Sequence, residues 1–199
     1  MAYMMKNTTD PKWQVEFEWY DPKVWVDRLS NQGEPKSLRR EQVPTRAFCT
    51  SKRAMLPDSA VVQAWVAISH RLRSRIASLE PDRNQYFAFD VARKNGKPVL
   101  GPDGEPLRDP YYLINTTTRF DAVMIEKSGI DPASIKFGLV PVFGTKMDAI
   151  VLDRRMTAGH HVWEGVRHFT GRLMVSDELG DWILANRMKS VELTRLREG

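Results

Sequence analysis

Short runs in which apolar residues recur at every second position outnumber helical stripes in this chain of 199 residues. That imbalance admits sheet-rich folds and little else, because a period of two lays one face of a strand on a core, whereas a helix needs a period near 3.6. "KWQVEFEWY" alternates strictly, with Trp13, Val15, Phe17 and Trp19 on one side and Gln14, Glu16 and Glu18 on the other. "PYYLINTTT", "FDAVMIE", "MDAIVLD", "HHVWEGV" and "SVELTRL" are further strand candidates, and "YFAFDVARKNGKPVL" reads as a hairpin turning at Asn95-Gly96.

Helical signals are few. Val61, Trp65, Ile68, Leu72, Ile76 and Leu79 form one stripe, which predicts a helix capped at Asp58 or Ser59 and stopped at Glu80 by Pro81. "RLMVSDELGDWILANRM" predicts a strand passing into a helix, with Ser176 as N-cap and Asp177 and Glu178 favouring the positive helix end. Asp21-Pro22 opens a third, short helix. Antiparallel strands grouped towards the C-terminal half, with few helices between them, predict an α+β fold: a mainly antiparallel sheet packed with a few helices. The length fits a single domain over residues 1–199.

Several chemistries are disfavoured by what the chain contains. One cysteine, Cys49, excludes an internal disulfide framework and a cysteine-rich zinc cluster. The start has no secretory pattern and no run is long enough to span a membrane, so a cytoplasmic protein with no membrane partner is expected. His160 and His161 are neighbours in a predicted strand, which sends their rings to opposite faces and away from a shared metal. "HFTG", from His168, resembles half of a two-histidine phosphoesterase signature whose second half is missing. No cofactor and no metal are expected.

The net charge of +5 is concentrated. Lys36, Arg39, Arg40, Arg46, Lys52, Arg53, Arg71, Arg73 and Arg75 face only Glu41 and Asp58 over the same span, a patch that reads first as a solvated face and otherwise as one that attracts nucleic acid or an acidic protein partner.

Taken together, "YYLINTTTRFDAVMIEKSGI", "DAIVLDRRMTAGHHVWEGV" and "LMVSDELGDWILANRMKSVELTRL" resemble the Immunity protein eleven family of bacterial polymorphic-toxin immunity proteins. The resemblance is carried by a tyrosine-rich strand, Asp121, Glu126, Lys127 and Ser128 in an Asp-x-x-x-x-Glu-Lys-Ser segment, and a strand ending Leu152-Asp153. It continues through Gly159, His161, Val162 and Trp163 to Val175–Leu179. It covers roughly residues 110–196, making 86–199 the immunity-like core and 1–85 a less recognisable N-terminal part of the same domain.

The resemblance implies a cytoplasmic, non-enzymatic antidote that binds a cognate toxin or effector, often one delivered by a type VI secretion route. Partner-binding residues are then expected at Arg71, Arg73 and Arg75, and secondarily at His160, Glu164 and Arg167. His161, Trp163, Ser176, Asp177 and Glu178 are expected to shape the fold. Immunity proteins against nucleases are commonly acidic, so a basic chain points to a toxin that is acidic at the contact or does not act on nucleic acid. The alternative is a nucleic-acid-associated protein using the basic helix, with nucleic acid the disfavoured partner.

Overall fold

A computed structural model describes residues 1–7, 13, 15–20, 37–51, 55–62, 65–131, 135, 147–166 and 172–199. Their strands fall into two sheets. One has five strands, β1 (Ala2–Asn7), β8 (Val151–Leu152), β9 (Val162–Glu164), β10 (Leu173–Ser176) and β11 (Val191–Glu198), in the order β8-β11-β1-β10-β9. The other has six, β2 (Phe17–Trp19), β3 (Arg46–Cys49), β4 (Ser59–Val62), β5 (Trp65–Ile68), β6 (Asn84–Ala92) and β7 (Tyr111–Thr116), in the order β2-β3-β6-β7-β5-β4. Helices α1 (His70–Leu79), α2 (Arg154–Thr157) and α3 (Asp177–Ala185) complete the described elements. The α+β class is as expected, but each sheet is mixed: β3 runs parallel to β6 and β8 parallel to β11.

Strands are not confined to the C-terminal half. β1 lies between β10 and β11, with Met4 opposite both Met174 and Thr194. Its sequence, "AYMMKN", shows no alternation because both of its faces are covered: Tyr3 and Met5 join one apolar cluster, Ala2 and Met4 another. A strand buried on both sides reads as a plain apolar run.

The helix predicted from Asp58 or Ser59 is half hairpin. β4 and β5 pair antiparallel from Ser59–Ile68 to Val62–Trp65, and β5 pairs onward with β7. Val61, Trp65 and Ile68 fit a helical stripe by spacing alone, yet Val61 is 51% exposed, which the stripe does not allow. Branched residues at 61, 62, 66 and 68 suit the pleated surface that β7 offers, and tertiary pairing overrides the weak local period. The cap is Ser69, whose Oγ accepts from the Leu72 N–H at 3.4 Å, and the helix ends at Glu80 as Pro81 demands.

Two other expectations are corrected. The chain does turn at Asn95-Gly96, where Gly96 has φ 71°, but no return strand follows; β6 pairs instead with β7 and β3. "FDAVMIE" forms no regular strand. The helix predicted at Asp21-Pro22 lies outside the described residues.

Residues 118–124 have a different job: they close the five-stranded sheet. Glu164 N–H donates to Thr118 O and Phe120 N–H to Glu164 O, tying this segment to edge strand β9. Met124 N–H donates to Val151 O and Asp153 N–H to Ala122 O, tying it to the opposite edge, β8. Both edges of the curled sheet are thereby paired, which removes the exposed strand groups that invite aggregation.

Three apolar layers result. Trp19, Leu56, Trp65, Phe89, Tyr111 and Leu113 pack on one face of the six-stranded sheet. Its other face, with Ile68 and Ile114, meets α1, α3 and the outside of the curled sheet through Leu72, Ile76, Leu179, Ile183, Val162 and Val175. Inside the curl lie Met4, Ala122, Leu152, Trp163, Met174 and Leu196. No helix among the described residues is long and apolar enough to cross a membrane.

Candidate functional site

The three arginines predicted to face a partner all sit on α1, but each is engaged within the chain. Arg71 grips Asp58 with both arms, Nε to Oδ1 at 2.6 Å and a terminal nitrogen to Oδ2 at 2.5 Å. Arg73 lies over the rings of Tyr86 and Tyr112, at 5.1 and 5.5 Å from their centroids. Arg75 donates to Glu178 Oε1 at 2.8 Å and lies 6.0 Å from the Trp182 ring centre. Arg71 remains 46% exposed, so its outer edge is open to solvent even though its charge has a partner.

Asp58 explains why Arg71 is held. Its carboxylate is fully buried, where an unpaired charge is costly, and it also accepts from Ser69 Oγ at 2.8 Å and from the Lys189 N–H at 2.7 Å. Lys189 leads into β11, while Asp58 leads into β4. One side chain therefore fastens the two sheets and the start of α1 together.

A second buried acid does the same at the other end of α1. Glu80 accepts from the His161 N–H at 2.7 Å, the Val162 N–H at 3.2 Å and Asn84 Nδ2 at 3.2 Å, which binds β9 to the helix end. Sequence reading placed both acids at helix termini and missed this role. The signal was present only as polarity at positions that must pack.

The motif residues converge beside this joint. Ser176 caps α3 by accepting from the Leu179 N–H at 3.2 Å, and its Oγ lies 2.9 Å from His161 Nδ1. Asp177 N–H donates to Met1 O, and Glu178 reaches Arg75. Trp163 is buried and stacked on Phe120, with ring centres 5.8 Å apart. His160 also lies against the Phe120 ring, 5.0 Å between ring centres, and its Nδ1 is 2.9 Å from an Arg83 nitrogen. Burial, then the Arg83 charge, holds the His160 imidazole below its ordinary pKa, so it is neutral and accepts from Arg83.

Glu164 is buried and ion-paired with Arg119 at 3.2 Å, so its carboxylate faces the interior rather than a partner. Arg167 and His168 lie outside the described residues. A shallow recess of about 250 Å³ opens between Met1, Arg154, the segment Thr157–His161, Trp163 and Ser176–Glu178, with Glu198 at its edge.

This arrangement does not assemble a nucleophile. In a serine–histidine–acid relay the hydroxyl and the acid bind opposite ring nitrogens. Here Ser176 and Glu178 both approach His161 Nδ1, at 2.9 and 4.0 Å. Ser176 Oγ is also committed to capping α3. Burial raises the Cys49 thiol, the reverse of what an activated thiolate needs. Among the described residues no group of three or more His, Cys, Asp or Glu is placed to hold a metal ion.

The polar residues of this region are thus built into the joint between the sheets. The sequence model of the immunity protein family (Imm11) matches residues 4–198, carrying the likeness through both sheets and well beyond the C-terminal segments that suggested it. Among curated proteins no match is found. The chain belongs to the immunity protein family Imm11.

Proposed function

We propose that this chain protects a bacterium by binding a cognate toxin and blocking it through protein–protein contact, without chemistry of its own. The observation that carries this reading is the family match over residues 4–198. The buried carboxylates support it, because Asp58 and Glu80 are both occupied in joining elements. The toxin arrives from a neighbouring cell, by a type VI route, and is met in the cytoplasm. A contact of about 1,600 Å² in total, with a few desolvated anchors, supplies sufficient affinity.

The test is expression of the adjacent gene's product in a sensitive host, with and without this chain. Growth arrest that is relieved by co-expression, together with a stoichiometric complex on purification, is the expected result. Arrest that continues unchanged in the presence of soluble chain ends the reading. The nucleic-acid alternative finds no support in α1, whose arginines are engaged by Asp58, the tyrosine rings and Glu178.

A further inference from the structure

Helix α1 covers only part of the six-stranded sheet. It lies over the face that carries Val66, Ile68, Tyr86, Tyr112 and Ile114. Towards β2 no described element packs on the same face, whose side chains point outward because residues alternate and Trp19, Ala47 and Phe89 point into the core on the other side. Glu18 and Tyr20 follow that outward alternation at β2, Arg46 and Phe48 on β3, and Ala88 and Asp90 on β6.

These side chains are arranged as a fixed ladder. Tyr20 and Phe48 stand 5.7 Å apart between ring centres. The Arg46 guanidinium lies over Tyr20 at 5.4 Å, and Lys94 Nζ over Phe48 at 5.7 Å. Lys94 is neutralised by Glu18 at 2.6 Å. Arg46 has no carboxylate partner among the described residues, and Arg40 donates only to the carbonyls of Pro44 and Ala88. Two guanidinium groups on this face therefore have no carboxylate partner among the described residues, while the exposed acids Asp90 and, by the same alternation, Glu16 stand on it unpaired with them. Tyr20 is 61% exposed, the most of any large apolar side chain among the described residues.

We propose that this open face of β2, β3 and β6 is the toxin-docking surface, and that its occupant is an acidic segment of the toxin. The inference rests on the immunity reading and adds the place and the chemistry of contact. Tyrosine and arginine dominate energetic centres of interfaces, and here both are already oriented, so little side-chain freedom is lost on binding. An incoming carboxylate completes the hydrogen bonding of Arg46, while Tyr20 and Phe48 supply apolar area beside it. Opposite charge also accelerates capture.

The test measures binding of the full chain to the purified adjacent-gene product, alongside protection of cells. Tyr20→Ala and Arg46→Glu are each expected to weaken binding by about 30-fold or more, and Arg46→Lys by less. Arg155→Glu, on α2 with its side chain 88% exposed, is expected to change it by no more than about 2-fold. Thermal unfolding close to that of the wild type shows that each variant is folded. Raising salt from about 50 to about 500 mM weakens the wild type more than Arg46→Glu.

Folded Tyr20→Ala and Arg46→Glu variants that bind and protect like wild type overturn the docking surface and leave the immunity reading standing. A wild-type chain that neither binds nor protects removes the immunity reading and this proposal with it. Binding of an oligonucleotide that depends on Arg46, with toxin binding indifferent to it, also overturns the proposal.

Discussion

The two sheets solve the same problem in opposite ways. The curled sheet has both edges sealed by residues 118–124, and Met4, Leu152, Trp163, Met174 and Leu196 fill its inside. The six-stranded sheet is closed on one face by an apolar cluster, half covered on the other by α1, and left uncovered by the described residues towards β2, where Tyr20, Phe48 and Arg46 stand outward. Polar side chains follow the same division. Asp58, Glu80 and Glu164, near or between the sheets, are buried and partnered; Arg40 and Arg46, on the side towards β2, have no carboxylate partner among the described residues. The contrast assigns stability to the closed half and the joint, and leaves to the other half the contact proposed for it.

The largest expected effect comes from breaking the joint. Asp58→Ala removes the acceptor for Arg71, Ser69 and the Lys189 N–H at once, and should cost about 3 kcal/mol of unfolding free energy. This is the low end for a broken buried pair, because Arg71, half exposed, recovers hydration. Urea unfolding measures it. A loss below about 1 kcal/mol would mean the sheets are held by their apolar layer alone.

Next is a glycine inside α3. In an exposed helix, alanine for glycine gains close to 1 kcal/mol. Gly180 is different: a Cβ there would lie 2.2 Å from a ring carbon of Tyr3, whose hydroxyl donates to Asp181 at 2.8 Å and which is buried on β1. Gly180→Ala is expected to destabilise by about 2 kcal/mol. A stabilised variant would show that β1 yields easily, and that the curled sheet is less fixed than its sealed edges suggest.

How much of this was legible depends on what each pattern had to encode. β10, the Ser176 cap and α3 were readable because strand alternation, a capping serine and two acids in the first turn agree. β7, β9 and β11 were readable for the same reason of local consistency. The 59–68 hairpin was not, since a branched run at helical spacing satisfies two periods and only pairing with β7 decides between them. β1 was invisible because neither face is polar. The joint was half visible: Asp58 and Glu80 were noticed as helix ends, but partners 131 and 81 residues away leave no local trace. The open face was hidden differently, since Tyr20 and Arg46 are ordinary surface residues until two strands bring them together.

A gain rather than a loss is expected at the end of α3. The Arg187 N–H donates to Leu184 O and the Met188 N–H to Ile183 O, the paired bonds of a left-handed helix stop, with Met188 and Ile183 both in the central layer. Arg187 occupies the left-handed position with φ 48°, where a side chain is strained. Arg187→Gly is expected to raise stability by about 0.5–1 kcal/mol while leaving toxin binding unchanged, since the residue lies on the joint side of the molecule. Calorimetry and the binding assay together check both halves of that statement.

The smallest effect depends on pH and again separates the halves. His160 is neutral in the folded chain because burial and then Arg83 depress its pKa, while Glu80 acts the other way and His161 adds to the depression. The unfolded chain therefore takes up the proton first as pH falls through ~6.5, so the folded state loses stability below that value and keeps it above. His160→Gln removes this contribution, and the drop in unfolding temperature between about pH 7.5 and about pH 5.5 should be smaller than in wild type. His160 lies against Phe120, on the segment that seals the curled sheet, and far along the chain from the ladder around Tyr20. Acid should loosen the sealed edge first, so hydrogen exchange at residues 118–124 should rise before toxin affinity changes; if affinity falls in step with exchange, the closed and open regions are coupled and the division drawn between them fails.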